Sequence, residues 1–382
     1  MEIISVSVGW QIYDMTRDPF DLGLIGLTQF MPALLLTLVT GAVADQFGRR
    51  AIMIICEVVS LACASSLAIY TFLGFSSVLP IFGILVLLGI SRAFFGPASQ
   101  SLAPNLVPPG DLPNAIAWNS TSWQTASIVG PVAGGLLYGL GAMAPYMVSI
   151  VLFAIATFAI TLVSKPVQRT KRQTQNWETL SAGIRYIWRE KIVLGAISLD
   201  MFAVLLGGAV ALMPVFARDI LHLGPWGLGL LRAGPGIGAI GMAMLLTARP
   251  IRRDAGRTML IAVGIFGIAT IVFGFSKVAW VSVVALIVMG AADMISVYVR
   301  QSLIQLWTPD ELRGRVSAVN GVFVGASNEL GEFRAGTMAA LFGTIAAVVI
   351  GGVGTIAVAG LWAVFFPKLR RIQGLTREYS TD

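Results

Sequence analysis

Nine ionisable side chains interrupt long apolar runs of this chain: Glu57, Arg92, Asp200, Arg232, Asp293, Arg300, Glu329, Glu332 and Arg334. An arginine or aspartate in the middle of such a run costs at least ~2.5 kcal/mol, even on the gentlest insertion scale. Each must therefore face a partner or water. A carboxyl held there can exchange a proton, because burial favours its neutral form and a nearby guanidinium favours its charged form. Asp200, Asp293, Glu329 and Glu332 are the acids with this chemistry. Arg92, Arg300 and Arg334 are the cations that would compete for them. A plainer reading stays open for each acid, in which it only neutralises Arg300 or Arg334 across helices. For Arg92 the alternative is an ion pair, and Glu57 is the nearest acid in sequence. Metal and nucleophile chemistry have little support. There is one histidine, His222, and the two cysteines, Cys56 and Cys63, lie seven residues apart. On one helix that spacing is ~10 Å, too far for a disulfide.

The elements that must position these charges are membrane spans. Hydrophobic residues make up 56% of the 382 residues and charged ones 12%, a composition no soluble domain can bury. Mean hydropathy is +0.83. A span needs ~20 apolar residues. The runs predict spans near 22–44, 51–74, 78–102, 115–139, 144–164, 192–217, 226–248, 259–276, 280–306, 316–343 and 345–366. Residues 3–13 are too few to cross a ~30 Å core and read as the second half of a first helix. The expectation is that an earlier half-helix precedes them.

The net charge of +7 is not a nucleic-acid signal, because its placement follows the loops. Of 26 Lys and Arg, 19 fall in alternate loops and the C-terminal tail, and the opposite loops hold three, Arg17, Arg218 and Lys277. Positive-inside bias then puts the richer set, and the C-terminus, in the cytoplasm.

A constant offset of 201 relates the two halves. It sets Gly89 on Gly290, Gln100-Ser101-Leu102 on Gln301-Ser302-Leu303, Pro108 on Pro309, Asn119 on Asn320 and Gly130 on Gly331. Arg92 falls on Asp293, a charge kept at one depth with its sign reversed. The expected division is an N-terminal helical bundle over 1–164, a cytoplasmic linker over 165–191, a C-terminal bundle over 192–367 and a tail over 368–382. Within the linker, Trp177, Leu180, Ile184, Ile187 and Trp188 share one helical face and Asn176 is a candidate N-cap. That pattern suits a helix lying on the inner leaflet among membrane lipids.

Two motifs carry mechanics. The loop Gly41-Ala-Val-Ala-Asp45-Gln-Phe-Gly48-Arg49-Arg50 reverses the chain between spans. Gly41 lets a neighbouring helix approach. Asp45 can accept from a helix N-terminus or pair with a base, and Gly48 permits a left-handed turn. In the fifth span, Pro131 cannot donate to the carbonyl of Ser127, and Gly130, Gly134 and Gly135 clear a face for close packing. The plainer alternative for the second motif is an ordinary proline kink with a glycine packing face.

The first motif resembles the loop between helices 2 and 3 of the major facilitator superfamily, and the second resembles the glycine-proline signature of its exporting members. Trp10-Gln-Ile-Tyr13, Arg92-Ala-Phe-Phe-Gly-Pro-Ala and Asn119-Ser-Thr followed by Gly130-Pro131 are similar to the enterobactin-exporter and macrolide-efflux branch. The second-half counterpart of the loop, Ala248 to Arg257, is degenerate and shifts its acid to Asp254.

The resemblance implies an all-α membrane protein of two six-helix bundles, the first helix incomplete here. It implies a secondary transporter that exports amphipathic small molecules, of the drug or siderophore kind, by proton antiport and alternating access. An arginine at the place of Arg92 is tied to proton movement in that family, and the Asp45/Arg49/Arg50 loop would latch one state. The energy source would be the proton gradient, with no cofactor, no metal and no nucleic acid. A monomer in a bacterial inner membrane is the expected form. Two rivals remain open: an importer of a siderophore or nutrient on the same fold, and a non-transporting membrane sensor or scaffold. An enzyme is not expected, since no phosphate-binding glycine loop follows a strand.

Overall fold

The computed structural model describes the chain apart from residues 103–105, 164–176, 252, 373 and 375–382. Side chains at 37, 38, 41, 42, 44–46, 101, 109, 112, 113, 116, 117, 120, 177–181 and 311 are also outside the description. Among the described residues the fold is helical, with no strand.

The helices in chain order are α1 (Glu2–Thr16), α2 (Pro19–Gln46), α3 (Arg49–Phe72), α4 (Leu79–Leu102), α5 (Leu112–Leu140) and α6 (Ala144–Leu162). There follow α7 (Trp177–Arg189), α8 (Lys191–Gly207), the single turn α9 (Met213–Val215), α10 (Gly224–Ala248), α11 (Ala255–Phe275) and α12 (Ala279–Trp307). Last come α13 (Asp310–Phe342), α14 (Thr344–Phe365) and the short α15 (Pro367–Arg370). Among the described residues, nine segments are long and apolar enough to cross a membrane. The helices α5 and α13, of 29 and 33 residues, are also long enough.

One expected span differs. Residues 192–217 do not form one helix: α8 ends at Gly207, and a 3-10 turn, α9 and a π-helical turn carry the chain to Ile220. Adjacent Gly207 and Gly208, each poor in helix propensity, sit at the break. Hydropathy alone is blind to it, because the residues on both sides stay apolar.

The chain divides into two compact units. The first comprises Met1–Gln175 with Gly224–Gly229, and the second Asn176–Leu223 with Leu230–Asp382. In the first, α3 packs on α4 and α6, and α1 on α5. In the second, α11 packs on α12 and α14, and α8 on α13. The internal repeat is thus a repeat of packing partners. Glycines make the contacts close, as helices need when lipid gives them no hydrophobic reason to associate. A Cβ on Gly89 of α4 would lie 2.5 Å from the Gln29 carbonyl oxygen of α2, and one on Gly290 of α12 would lie 2.0 Å from that of Pro235 in α10. A Cβ on Gly130 would lie 2.6 Å from Glu2 Cβ in α1; one on Gly331 would lie 2.9 Å from the Val204 carbonyl oxygen in α8. The offset of 201 carries Ile3, the neighbour of Glu2, onto Val204.

Several buried polar groups in the first unit are paired across helices. Gln11 donates from Nε2 to Thr71 Oγ1 at 3.0 Å and accepts from the Tyr146 hydroxyl, joining α1, α3 and α6. Ser91 Oγ donates to the Cys56 carbonyl at 2.8 Å and lies 3.0 Å from Ser60 Oγ, joining α3 and α4. Cys56 and Cys63 are free thiols, both buried.

Candidate functional site

The residues singled out by their cost in lipid meet most closely on α8 and α12. Asp293, Ser296 and Arg300 stand three and seven residues apart, one face of α12. Asp200 faces them from α8. Arg300 Nη1 donates to Asp200 Oδ2 in an ion pair whose side chains are only 4% and 5% exposed. Ser296 Oγ donates to Asp200 Oδ1 at 3.3 Å. Both carboxylate oxygens of Asp200 are therefore engaged.

Beside the pair lies a small cavity of about 10 Å³, room for one water. Asp200, Asp293 and Ser296 line its polar side, and Val263 and Phe266 of α11 its apolar side. Among the described residues Asp293 has no hydrogen bond or ion pair, although Asp200 and Arg300 both act on it electrostatically. The arrangement holds two acids and one guanidinium among apolar helices, where burial favours a neutral carboxyl and the guanidinium a charged one.

Other expected site residues have different surroundings. Arg334 of α13 donates from Nε to the Leu205 carbonyl at 2.9 Å and from Nη2 to that of Leu206. It caps the broken end of α8, where those carbonyls have lost their helical donors. Glu329 and Glu332 are half-buried on α13, and neither lines the cavity. Arg92 is half-buried on α4, and no ion pair joins it to Glu57 among the described residues. Glu57 is buried on α3.

In the loop after α2, Gly41 and Asp45 fall in its last turns, and the Asp45 side chain lies outside the described residues. Gly48 precedes α3 as its N-cap with φ −61°, so the left-handed turn expected there does not form. Arg49 opens α3 and is half-buried. Arg50 donates to the Ile160 and Thr161 carbonyls at 3.1 and 2.5 Å, capping the C-terminus of α6, where a cation suits the helix dipole.

In the fifth span, α5 runs through Pro131 unbroken. Gly130 and Gly134 take Glu2, Ile3 and Val6 of α1, and Gly135 takes the backbone of Gly229, which belongs to the same compact unit. The linker residues 165–176, Asn176 included, lie outside the described residues; α7 follows them. It buries Ile187 against Val193, Ile197, Val316 and Val319, while Ile184 and Trp188 stay exposed.

Sequence reasoning missed Ser296 and the break in α8. Ser296 had a legible signal, since it stands between Asp293 and Arg300 on their shared helical face. The break had only the Gly207-Gly208 pair.

A sequence profile described as transmembrane secretion effector, within the major facilitator superfamily, matches residues 2–380. The chain belongs to that family. The chain is 26% identical over 390 residues to the multidrug efflux pump Tap of Mycobacterium tuberculosis, covering 96% of this chain and 90% of Tap. It is 26% identical over 386 residues to the enterobactin exporter EntS of Citrobacter koseri, covering 97% and 89%. Among solved structures its fold is similar to a bacterial homologue of the human lysosomal transporter Spinster, with TM-score 0.72, 15% identity and coverage of 97% and 92%. It is also similar to the nucleoside transporter NupG, with TM-score 0.70, 13% identity and coverage of 96% of each chain. The family member is a multi-pass membrane transporter and not an enzyme.

Proposed function

We propose that this transporter exports amphipathic small molecules, of the drug or siderophore kind, from a bacterial cell across its inner membrane. Inward proton flow drives the export, through alternating access of the two six-helix halves. The proton gradient alone supplies the energy, with no bound cofactor, and the chain works as a monomer with its C-terminus in the cytoplasm.

The observation that carries the reading is the Asp200–Arg300–Asp293 group held in apolar helices. Charged side chains are costly inside membrane helices and there mark proton and ion paths. The efflux activity named for Tap and EntS supports the outward direction. So does the resemblance of the Gly130-Pro131 to Gly135 motif to the signature of exporting members. Arg50 on the end of α6 supports a part for the Gly41–Arg50 loop in holding one state, since moving that loop disturbs a helix cap.

The test is flux in everted vesicles with an imposed proton gradient, using ethidium, a macrolide and a catecholate siderophore as probes. An acid lumen should drive at least one probe inward, the vesicle equivalent of export. Accumulation with the opposite gradient would establish an importer. No flux of any probe, with Asp293→Asn and Glu332→Gln tolerated, would establish a sensor or scaffold.

A further inference from the structure

We infer that Asp293 is the carboxyl that carries the proton, and that its charge decides whether Arg300 serves Asp200 alone or both acids. This rests on the proton-coupled reading and assigns it to one atom group.

The two acids of the cluster are not equivalent. Asp200 has both oxygens engaged, one by Arg300 and one by Ser296. It is the fixed member, and losing its charge would strand a buried guanidinium. Asp293 has no such partner among the described residues and opens on the water-sized cavity, where a proton can arrive and leave. The charged groups facing it are few. On α8 there is Asp200, and on α12 its own Arg300. The α11 side presents Val263 and Phe266. The α10 side meets this stretch of α12 through Gly234, Pro235 and Gly238, with Arg232 the charged residue of that helix.

Charge counting then selects the state. With both acids ionised, one arginine faces two negative charges and the dry interior keeps a net charge of minus one. With Asp293 protonated the cluster is neutral. The observed pairing, Asp200 doubly held and Asp293 unpaired among the described residues, is the arrangement the neutral state calls for.

Arg300 retains capacity for the other state, because its buried Nε has no partner among the described residues. Helical side chains lean toward the helix N-terminus, so Arg300 reaches back along α12 toward Ser296 and Asp293. When Asp293 releases its proton, the guanidinium is drawn toward it and the Asp200 contact loosens. That contact ties α12 to α8 seven residues before α8 ends at Gly207. Proton release at Asp293 is therefore mechanically linked to the broken helix.

The experiment is pH-difference infrared spectroscopy of the purified full chain in lipid, reading the carbonyl stretch of a protonated carboxylic acid, with no cargo present. The wild type should lose such a band as pH rises. Asp293→Asn should lack that band, while Asp200→Asn should keep a titrating band at a shifted position. Asparagine imitates the neutral carboxyl, so the melting temperature of Asp293→Asn should match the wild type and establish that it is folded. A titrating band surviving in Asp293→Asn overturns the assignment, as does a wild type with no titrating band. Proton-driven ethidium flux separates the two claims. Flux with the band assigned elsewhere overturns only the role of Asp293. An Asp293 band without gradient-dependent flux upholds the proton site and overturns the function proposed above.

Discussion

Arg300 and Asp200 each depend on the other more than the membrane depends on the pair. Removing one partner of a buried ion pair strands the other charge, and the usual cost is about 3–5 kcal/mol. Arg300→Met and Asp200→Leu should each lower the melting temperature in detergent sharply. The double variant should recover most of the loss, because replacing both charges by apolar groups is often neutral. Equal and additive losses would show that the two side chains act independently, contrary to their contact. The acids and arginines of this site were legible in the sequence, since each breaks an apolar run. Their pairing was not. Asp200 and Arg300 are 100 residues apart, and which acid meets which arginine depends on helix rotation that hydropathy does not encode.

Helices are held here by missing side chains as much as by present ones. Gly290 of α12 has the Pro235 carbonyl where a Cβ would go, 2.0 Å away. Gly290→Ala should destabilise the second unit by about 1–3 kcal/mol, the usual cost of overpacking. Gly264→Ala is the control, because a Cβ there meets nothing within 4 Å. It should be neutral or slightly stabilising by helix propensity. Equal melting temperatures for the two variants would contradict the packing account.

Arg334 gives a second test at this scale. Arg334→Leu leaves the Leu205 and Leu206 carbonyls without their donor, at about 1–3 kcal/mol for each buried group. The melting temperature should fall even with proton-driven flux normalised to folded protein unchanged. Loss of flux at full stability would instead place Arg334 in the transport path. Among the described residues, nine long segments were legible because each holds a run of about 20 apolar residues. The break in α8 was not, since Gly207-Gly208 lies among apolar neighbours and its cap comes from Arg334, more than a hundred residues away. The amphipathic face of α7 was legible too, but not its division into Ile187, buried in the protein, and Ile184 and Trp188, left outside.

At the scale of the whole chain, the offset of 201 is a record of shared packing. Gly130 meets α1 as Gly331 meets α8, and Gly89 meets α2 as Gly290 meets α10. The pairing α1·α5 recurs as α8·α13, and α3·α6 as α11·α14. Yet the two units differ in their charges: Arg92 holds the repeat position of Asp293. A duplicated scaffold with reversed charges at one depth gives each unit a different electrostatic task. The cluster of Asp200, Asp293 and Arg300 belongs wholly to the second unit. The central proposal is that this transporter exchanges protons for cargo through the carboxyl of Asp293. The most direct measurement follows ethidium uptake and lumenal pH together in everted vesicles with an acid lumen. The account predicts that uptake and lumenal alkalinisation rise together in the wild type and that both are lost in Asp293→Asn. Uptake that persists after the gradient is collapsed, or in Asp293→Asn with the gradient intact, would contradict it.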